Sequence, residues 1–215
     1  LVGLINASVK DFWNTVPTSR LTLEDGGYLE TSDNNFVTGE LCLSNSACGG
    51  TPIPNVSEIV ITCNTNSTNF PGGSSLLALT LPTVIRGKSI KGAVIAINAS
   101  NGSFGNLSRD RKIAVLAHEI GHAIGLGHAT EEASLMWYAI VPTRKAMGQD
   151  DIDGVTYLYP VQMDLMGAGC FGNTTRDGGS NLPGSWWPTL LAGVILALVF
   201  GRRPKRRPSF FTPAT

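Results

Sequence analysis

The chain has three histidines in 215 residues, and all of them fall within eleven: His118, His122 and His128. A lone histidine is more often a satisfied polar residue than a ligand. Three together, with none elsewhere, point to a shared task. The segment reads His118-Glu119-Ile120-Gly121-His122-Ala123-Ile124-Gly125-Leu126-Gly127-His128. Residues four apart on a helix lie nearly above one another, so His118 and His122 aim at one point only if this stretch is helical. His128 reaches the same point only if the chain reverses. Gly125 allows that, because glycine takes positive φ without steric cost.

The flanking pattern agrees. From Arg109 to Leu126 the apolar residues Ile113, Leu116, Ala117, Ile120 and Ile124 recur at spacings of three and four, which predicts an amphipathic helix. Ser108 is placed to cap it, Asp110 lies in its first turn, and Gly125 and Gly127 end it.

Three neutral imidazoles leave one position of a tetrahedral Zn2+ open, and water fills it. The metal lowers that water's pKa and polarises a substrate carbonyl. Glu119, on the adjoining face, is placed to take the water's proton and pass it to the leaving amine. The expected reaction is peptide-bond hydrolysis through a zinc-bound water activated by Glu119. Copper or iron would also accept three imidazoles, but a glutamate between the first two ligands favours hydrolysis. A bare His-Glu-x-x-His arises by chance in many proteins. The eleven-residue form is far rarer, and here it follows a predicted strand and loop.

Glu58 to Cys63 and Ser89 to Asn98 are short, β-branched and bounded by polar clusters, so both are predicted strands. Phe12 and Trp13 are expected to anchor an early strand, and Leu21-Thr22-Leu23 alternates as a strand does. Glu24 to Gly27 and Asp33 to Asn35 read as turns. Residues 42–54, 64–75 and 98–106 read as loops. A second short helix is predicted from about Asp150 to Leu158, stopped by Pro160.

With these residues in place, the sequence resembles the metzincin clan of zinc peptidases, and within it the matrixins, the matrix metalloproteinase-like family. Two more segments carry the narrower likeness. Met136 follows His128 by eight residues, which fits the short, fixed distance at which matrixins place the methionine that metzincins hold in a tight turn beneath the zinc. Gln149 to Tyr159 looks like the C-terminal helix of matrixin catalytic domains. The resemblance implies an α+β, metzincin-like zincin catalytic domain: a twisted mixed sheet, mostly parallel, with an active-site helix and a C-terminal helix. It implies one catalytic Zn2+ on His118, His122 and His128, with Glu119 catalytic and Gly125 and Met136 supporting the site. It also implies a protein or peptide substrate lying extended along an edge strand by strand addition. Trp137 to Met147 would wall the pocket for the side chain after the scissile bond. The extra histidines with which many matrixins hold a structural zinc have no counterpart here. No defined pattern supports a Ca2+ site, although Asp/Asn-rich loops are present. Trp137-Tyr138 departs from the aromatic-Pro pair usual after the methionine.

Composition adds the setting. Residues 1–200 carry 11 positive and 16 negative charges, a net of −5, which gives no reason to expect nucleic acid as a partner. Cys42, Cys48 and Cys63 lie in a segment rich in Asn, Ser and Gly, with Cys170 apart; an exported protein with a small disulfide is expected. The expected organisation is a peptidase domain at 1–160, a Gly/Asn-rich linker at 161–185, an apolar helix plus basic cluster at 186–207 and a polar tail at 208–215. Trp186 to Phe200 is uncharged and the basic cluster follows at once, as in a membrane anchor or a bacterial sorting signal. The expected location is therefore the cell surface or, after release, the medium. A sorting protease and the membrane join the substrate as expected partners. Two other readings stand beside the peptidase. One is a surface adhesion module that keeps the fold without the catalysis; the other is a metal-dependent hydrolase of a non-peptide bond.

Overall fold

A computed structural model describes residues 1–32, 34–44, 53–72, 74–100, 104–139 and 145–161. The chain divides into two compact units, Leu1–Leu165 and Met166–Thr215, and every described residue belongs to the first. Apart from Val161, the expected linker, apolar helix and tail lie outside the described residues. Among the described residues, no helix is long and apolar enough to cross a membrane.

The elements run α1 (Val2–Asp11), a 3-10 turn (Trp13–Thr15), α2 (Asn34–Thr38), β1 (Ile59–Asn64), β2 (Ala78–Arg86), β3 (Ser89–Asn98), α3 (Arg109–Ala123) and α4 (Gln149–Leu158). The architecture is α+β. The sheet order is β1-β3-β2, with β1 parallel to β3 and β2 antiparallel to it. It is a mixed sheet. The expectation of a mostly parallel one is corrected, since one of the two described pairings is antiparallel.

β3 occupies the centre because Ala93-Val94-Ile95-Ala96-Ile97 is apolar on both faces and buried on both. β2 escaped the sequence reading. Pro82 lacks an N–H and argues against a strand, but it is tolerated here because β2 is, among the described residues, an edge strand whose ladder with β3 is irregular between Pro82 and Ile85.

The N-terminal expectation is also corrected: Phe12 and Trp13 belong to no strand. They close α1, whose Leu4 and Val9 pack with them on the main core. Two bonds pin this segment to α3. The buried Ser8 hydroxyl donates to Ile113 O at 3.0 Å, and Trp13 Nε1–H donates to Ala117 O at 2.9 Å. The Asp33–Asn35 turn gives way to α2, and Leu21 to Leu23 form no strand. Fully buried Ile95, Leu116 and Ile120 lie between sheet and helix, each contributing about 2 kcal/mol by burial.

Candidate metal centre and catalytic cleft

α3 begins as its sequence predicts. Ser108 Oγ accepts Arg111 N–H at 3.4 Å, and Asp110 lies in the first turn. The helix ends at Ala123, three residues before the predicted end at Leu126. Leu126 N–H donates to Gly121 O at 2.9 Å and Gly125 N–H to His122 O at 3.0 Å, the paired bonds of a Schellman ending. Gly125 adopts φ +110°, which an L side chain rarely does. The chain thus reverses where the histidine spacing requires it.

His118, His122 and His128 converge, with one ligand nitrogen from each lying within 4.8 Å of the others. The ring centroids are 4.7–5.3 Å apart. Backbone carbonyls fix two of the tautomers. Leu135 O lies 2.9 Å from His118 Nδ1, and Leu126 O lies 2.8 Å from His122 Nδ1. A carbonyl only accepts, so both Nδ1 atoms carry the proton and both Nε2 lone pairs are left to bind a metal. His122 Nε2 and His128 Nε2 are 3.2 Å apart. Two ligands about 2.0–2.1 Å from a tetrahedral zinc stand about 3.3–3.4 Å from each other. The donor set therefore fits zinc. Burial lowers the pKa of all three imidazoles, that of His118 to about 4, and so favours the neutral, ligating form.

Glu119 is 8% exposed and shares the cleft with the histidines. Burial raises its pKa; the Thr80 hydroxyl and the charge of His128 oppose the rise. Thr80 Oγ1 donates to Glu119 Oε2 at 2.6 Å. Thr80 was hidden from sequence reasoning because β2 itself was hidden.

Met136 lies 2% exposed beneath α3. Its approach depends on Gly121, where an added Cβ would overlap Met136 Sδ and stand 2.8 Å from Trp13 Cζ2. Asp151 of α4 holds the Met136 turn from below. Its carboxylate accepts N–H from Leu135 (2.6 Å), Met136 (3.0 Å) and Gly148 (2.7 Å), and the hydroxyl of Ser134. The roles of Gly121, Ser134 and Asp151 were not read from the sequence. The only signal was the placement of Gly121 inside the histidine motif and of Asp151 in the helix that carries the resemblance. Gly125 would meet Leu158 and Ile90 if it bore a Cβ, and Tyr159 Oη donates to Ile124 O at 2.7 Å, so α4 also supports the end of α3.

The cleft, of about 820 Å³, runs along Ser75 to Leu77 and the first half of β2 to Pro82, and over the three histidines. Tyr138 and Ala139 line it from the expected wall segment; residues 140–144 of that segment lie outside the described residues.

Comparison with known proteins agrees with this geometry. Residues 64–160 match the family model described as Matrixin. The matrixin match spans β2, β3, α3, the Met136 turn and α4. Among curated proteins, Metalloendoproteinase 1 of Glycine max is 48% identical over 50 residues, 22% of this chain and 16% of that protein. Neutrophil collagenase of Homo sapiens is 33% identical over 87 residues, 39% of this chain and 17% of its own length. Matrix metalloproteinase-27 of Tupaia belangeri is 42% identical over 48 residues, 21% and 9% of the two lengths. The matched segments thus span less than a fifth of each of these relatives.

Outside the cleft, Cys42 is disulfide-bonded and Cys63 carries a free, exposed thiol.

Proposed function

We propose that the chain is a zinc-dependent endopeptidase of the matrixin type, within the metzincin clan, acting on extended segments of protein substrates. The observation that carries this reading is the convergence of three imidazoles, two with fixed tautomers, beside a buried glutamate in a cleft along an edge strand. His118, His122 and His128 would hold the ion. A bound zinc would supply Lewis acidity, polarising the scissile carbonyl and acidifying a water.

The remaining work falls to the protein. β2 has no strand partner on its outer edge among the described residues, so its backbone groups can bind an extended peptide as an added strand. Glu119 Oε2 takes a proton from the attacking water and delivers it to the departing amine nitrogen. Its raised pKa brings it closer to neutrality, where a base both accepts and returns a proton readily. Thr80 holds the carboxylate in place during the transfer.

Export to the cell surface or the medium belongs to the same proposal, supported by the Cys42 disulfide, a bond that persists in oxidising compartments. The anchoring or sorting role of residues 186–207 rests on their sequence alone.

The test is cleavage of an unstructured protein by the zinc-loaded chain and by Glu119→Ala. The variant is expected to retain stoichiometric zinc and lose cleavage. Full activity in Glu119→Ala would overturn the mechanism. Zinc-loaded wild-type protein that cuts nothing across a broad peptide library would overturn the activity.

A further inference from the structure

Arg111 is the one lysine or arginine that lines the cleft among the described residues. Its Nε is buried and has no hydrogen-bond partner. The acid beside it in the chain, Asp110, faces Lys145 at 3.6 Å instead. The Nε burial fixes the stem of the side chain against the protein, and Arg111 still lines the cleft as an uncompensated cation among the described residues.

The position of Arg111 along the cleft follows from the packing of α3 on β2. Ala78 packs with Val115 and Leu116, and Thr80 bonds to Glu119, so helix and strand advance in the same direction. Arg111 therefore lies toward the start of β2, and Ser75 and Leu76, which precede that strand, line the same cleft. It precedes His118 by seven residues, about 10 Å along the helix axis. An extended peptide covers that distance in about three residues. A peptide added antiparallel to β2 places its C-terminal half at this end of the strand.

We propose that Arg111 determines specificity by pairing with an acidic side chain of the substrate, two or three residues to the C-terminal side of the scissile bond. The inference rests on the endopeptidase reading and adds a substrate class to it. The two Nη groups at the end of the guanidinium offer parallel N–H donors, a fork that matches a carboxylate in a bidentate pair.

The experiment uses peptide pairs that differ only by Glu or Gln, with the change scanned over three positions on each side of the bond cut. kcat/KM is measured for each pair with the wild type, Arg111→Gln and Arg111→Glu. The wild type is expected to favour Glu about tenfold at the second or third position past the bond. Arg111→Gln brings that ratio to about one, and Arg111→Glu reverses it in favour of Gln at the same position. In parallel, fluorescence anisotropy reports binding of the same Glu and Gln peptides to metal-free protein, with the same Glu preference expected. A ratio near one in the wild type, or one that persists in Arg111→Gln, overturns the assignment while leaving the peptidase intact. A Glu preference confined to the N-terminal side overturns the placement. A binding preference lost in Arg111→Gln, with no cleavage by any form, upholds the Arg111 site and overturns the peptidase reading instead.

Discussion

Asp151 and His118 are joined through the backbone of a single residue. The Asp151 carboxylate accepts the Leu135 N–H at 2.6 Å, and the Leu135 carbonyl accepts the His118 Nδ1–H at 2.9 Å. The orientation of the first metal-binding imidazole therefore depends on a carboxylate in α4, 33 residues further along the chain.

Asp151→Asn tests that dependence. Asp151 is 2% exposed and accepts from four donors. An asparagine supplies one accepting oxygen and turns an NH2 group toward the remaining donors. Removing one side of such a buried network costs about 3 kcal/mol. The urea midpoint is expected to fall accordingly, and zinc affinity to weaken about 10- to 100-fold, as when a group supporting a metal ligand is lost. Wild-type values for both would remove Asp151 from the support of the site.

The three histidines and α3 were legible because two periods coincide there: apolar residues every three or four positions, and His118 and His122 four apart. Gly125 was legible because only a positive φ brings His128 back. What stayed hidden was held by contacts between distant parts of the chain. Trp13 forms part of a helical cap whose Nε1 reaches Ala117, 104 residues away. β2 was masked by Pro82, which a sheet edge tolerates and a sequence pattern counts against. Thr80 and Asp151 are ordinary polar residues until folding brings them under Glu119 and the Met136 turn.

Gly121→Ala adds one methyl group at the tightest point beneath the site. The new Cβ would overlap Met136 Sδ and crowd Trp13, and neither neighbour has room to move, since both are buried. Alanine favours helix over glycine by about 1 kcal/mol, so the local effect alone is stabilising. Overpacking costs about 1–3 kcal/mol and is expected to win. A thermal melt of the zinc-free variant should show a lower midpoint, and a higher one would mean that the Met136 turn yields freely.

Acid weakens the metal-free protein in a defined window. Burial holds His118 at about 4 in the folded state, against its ordinary 6.5. Below pH 6.5 the unfolded chain takes up a proton that the folded chain refuses until about pH 4. The stability linked to this group is intact above pH 6.5 and declines as pH falls through about 4, by on the order of 3 kcal/mol. His122 shifts in the same direction. Glu119 acts oppositely: its raised pKa contributes stability that is full below pH 4.5 and is lost as pH rises through the raised value. Glu119→Gln removes this opposing group. Urea midpoints of that variant, without metal, should fall steadily from pH 7 to 4; a flat profile would count against a neutral, buried His118.

Thr80→Val separates positioning of the base from binding of substrate. Valine keeps the shape of threonine and removes the donor to Glu119 Oε2. Two consequences follow. The carboxylate is free to rotate, which slows proton transfer, and kcat is expected to fall about 10- to 100-fold, the equivalent of the roughly 1.5–3 kcal/mol of a hydrogen bond to a charged group. The Thr80 bond is also the first of the influences that oppose burial and hold the Glu119 pKa down, so its loss raises that pKa further. The acid limb of the kcat/KM profile should then move to higher pH, because Glu119 works as a base only when ionised. KM should change little, since Thr80 acts here through Glu119. Thr80→Ser restores the hydroxyl and should recover both kcat and the acid limb. A Thr80→Val enzyme with a lowered kcat but an unmoved acid limb would mean that the residue supports packing of β2 on α3 and leaves the base untouched.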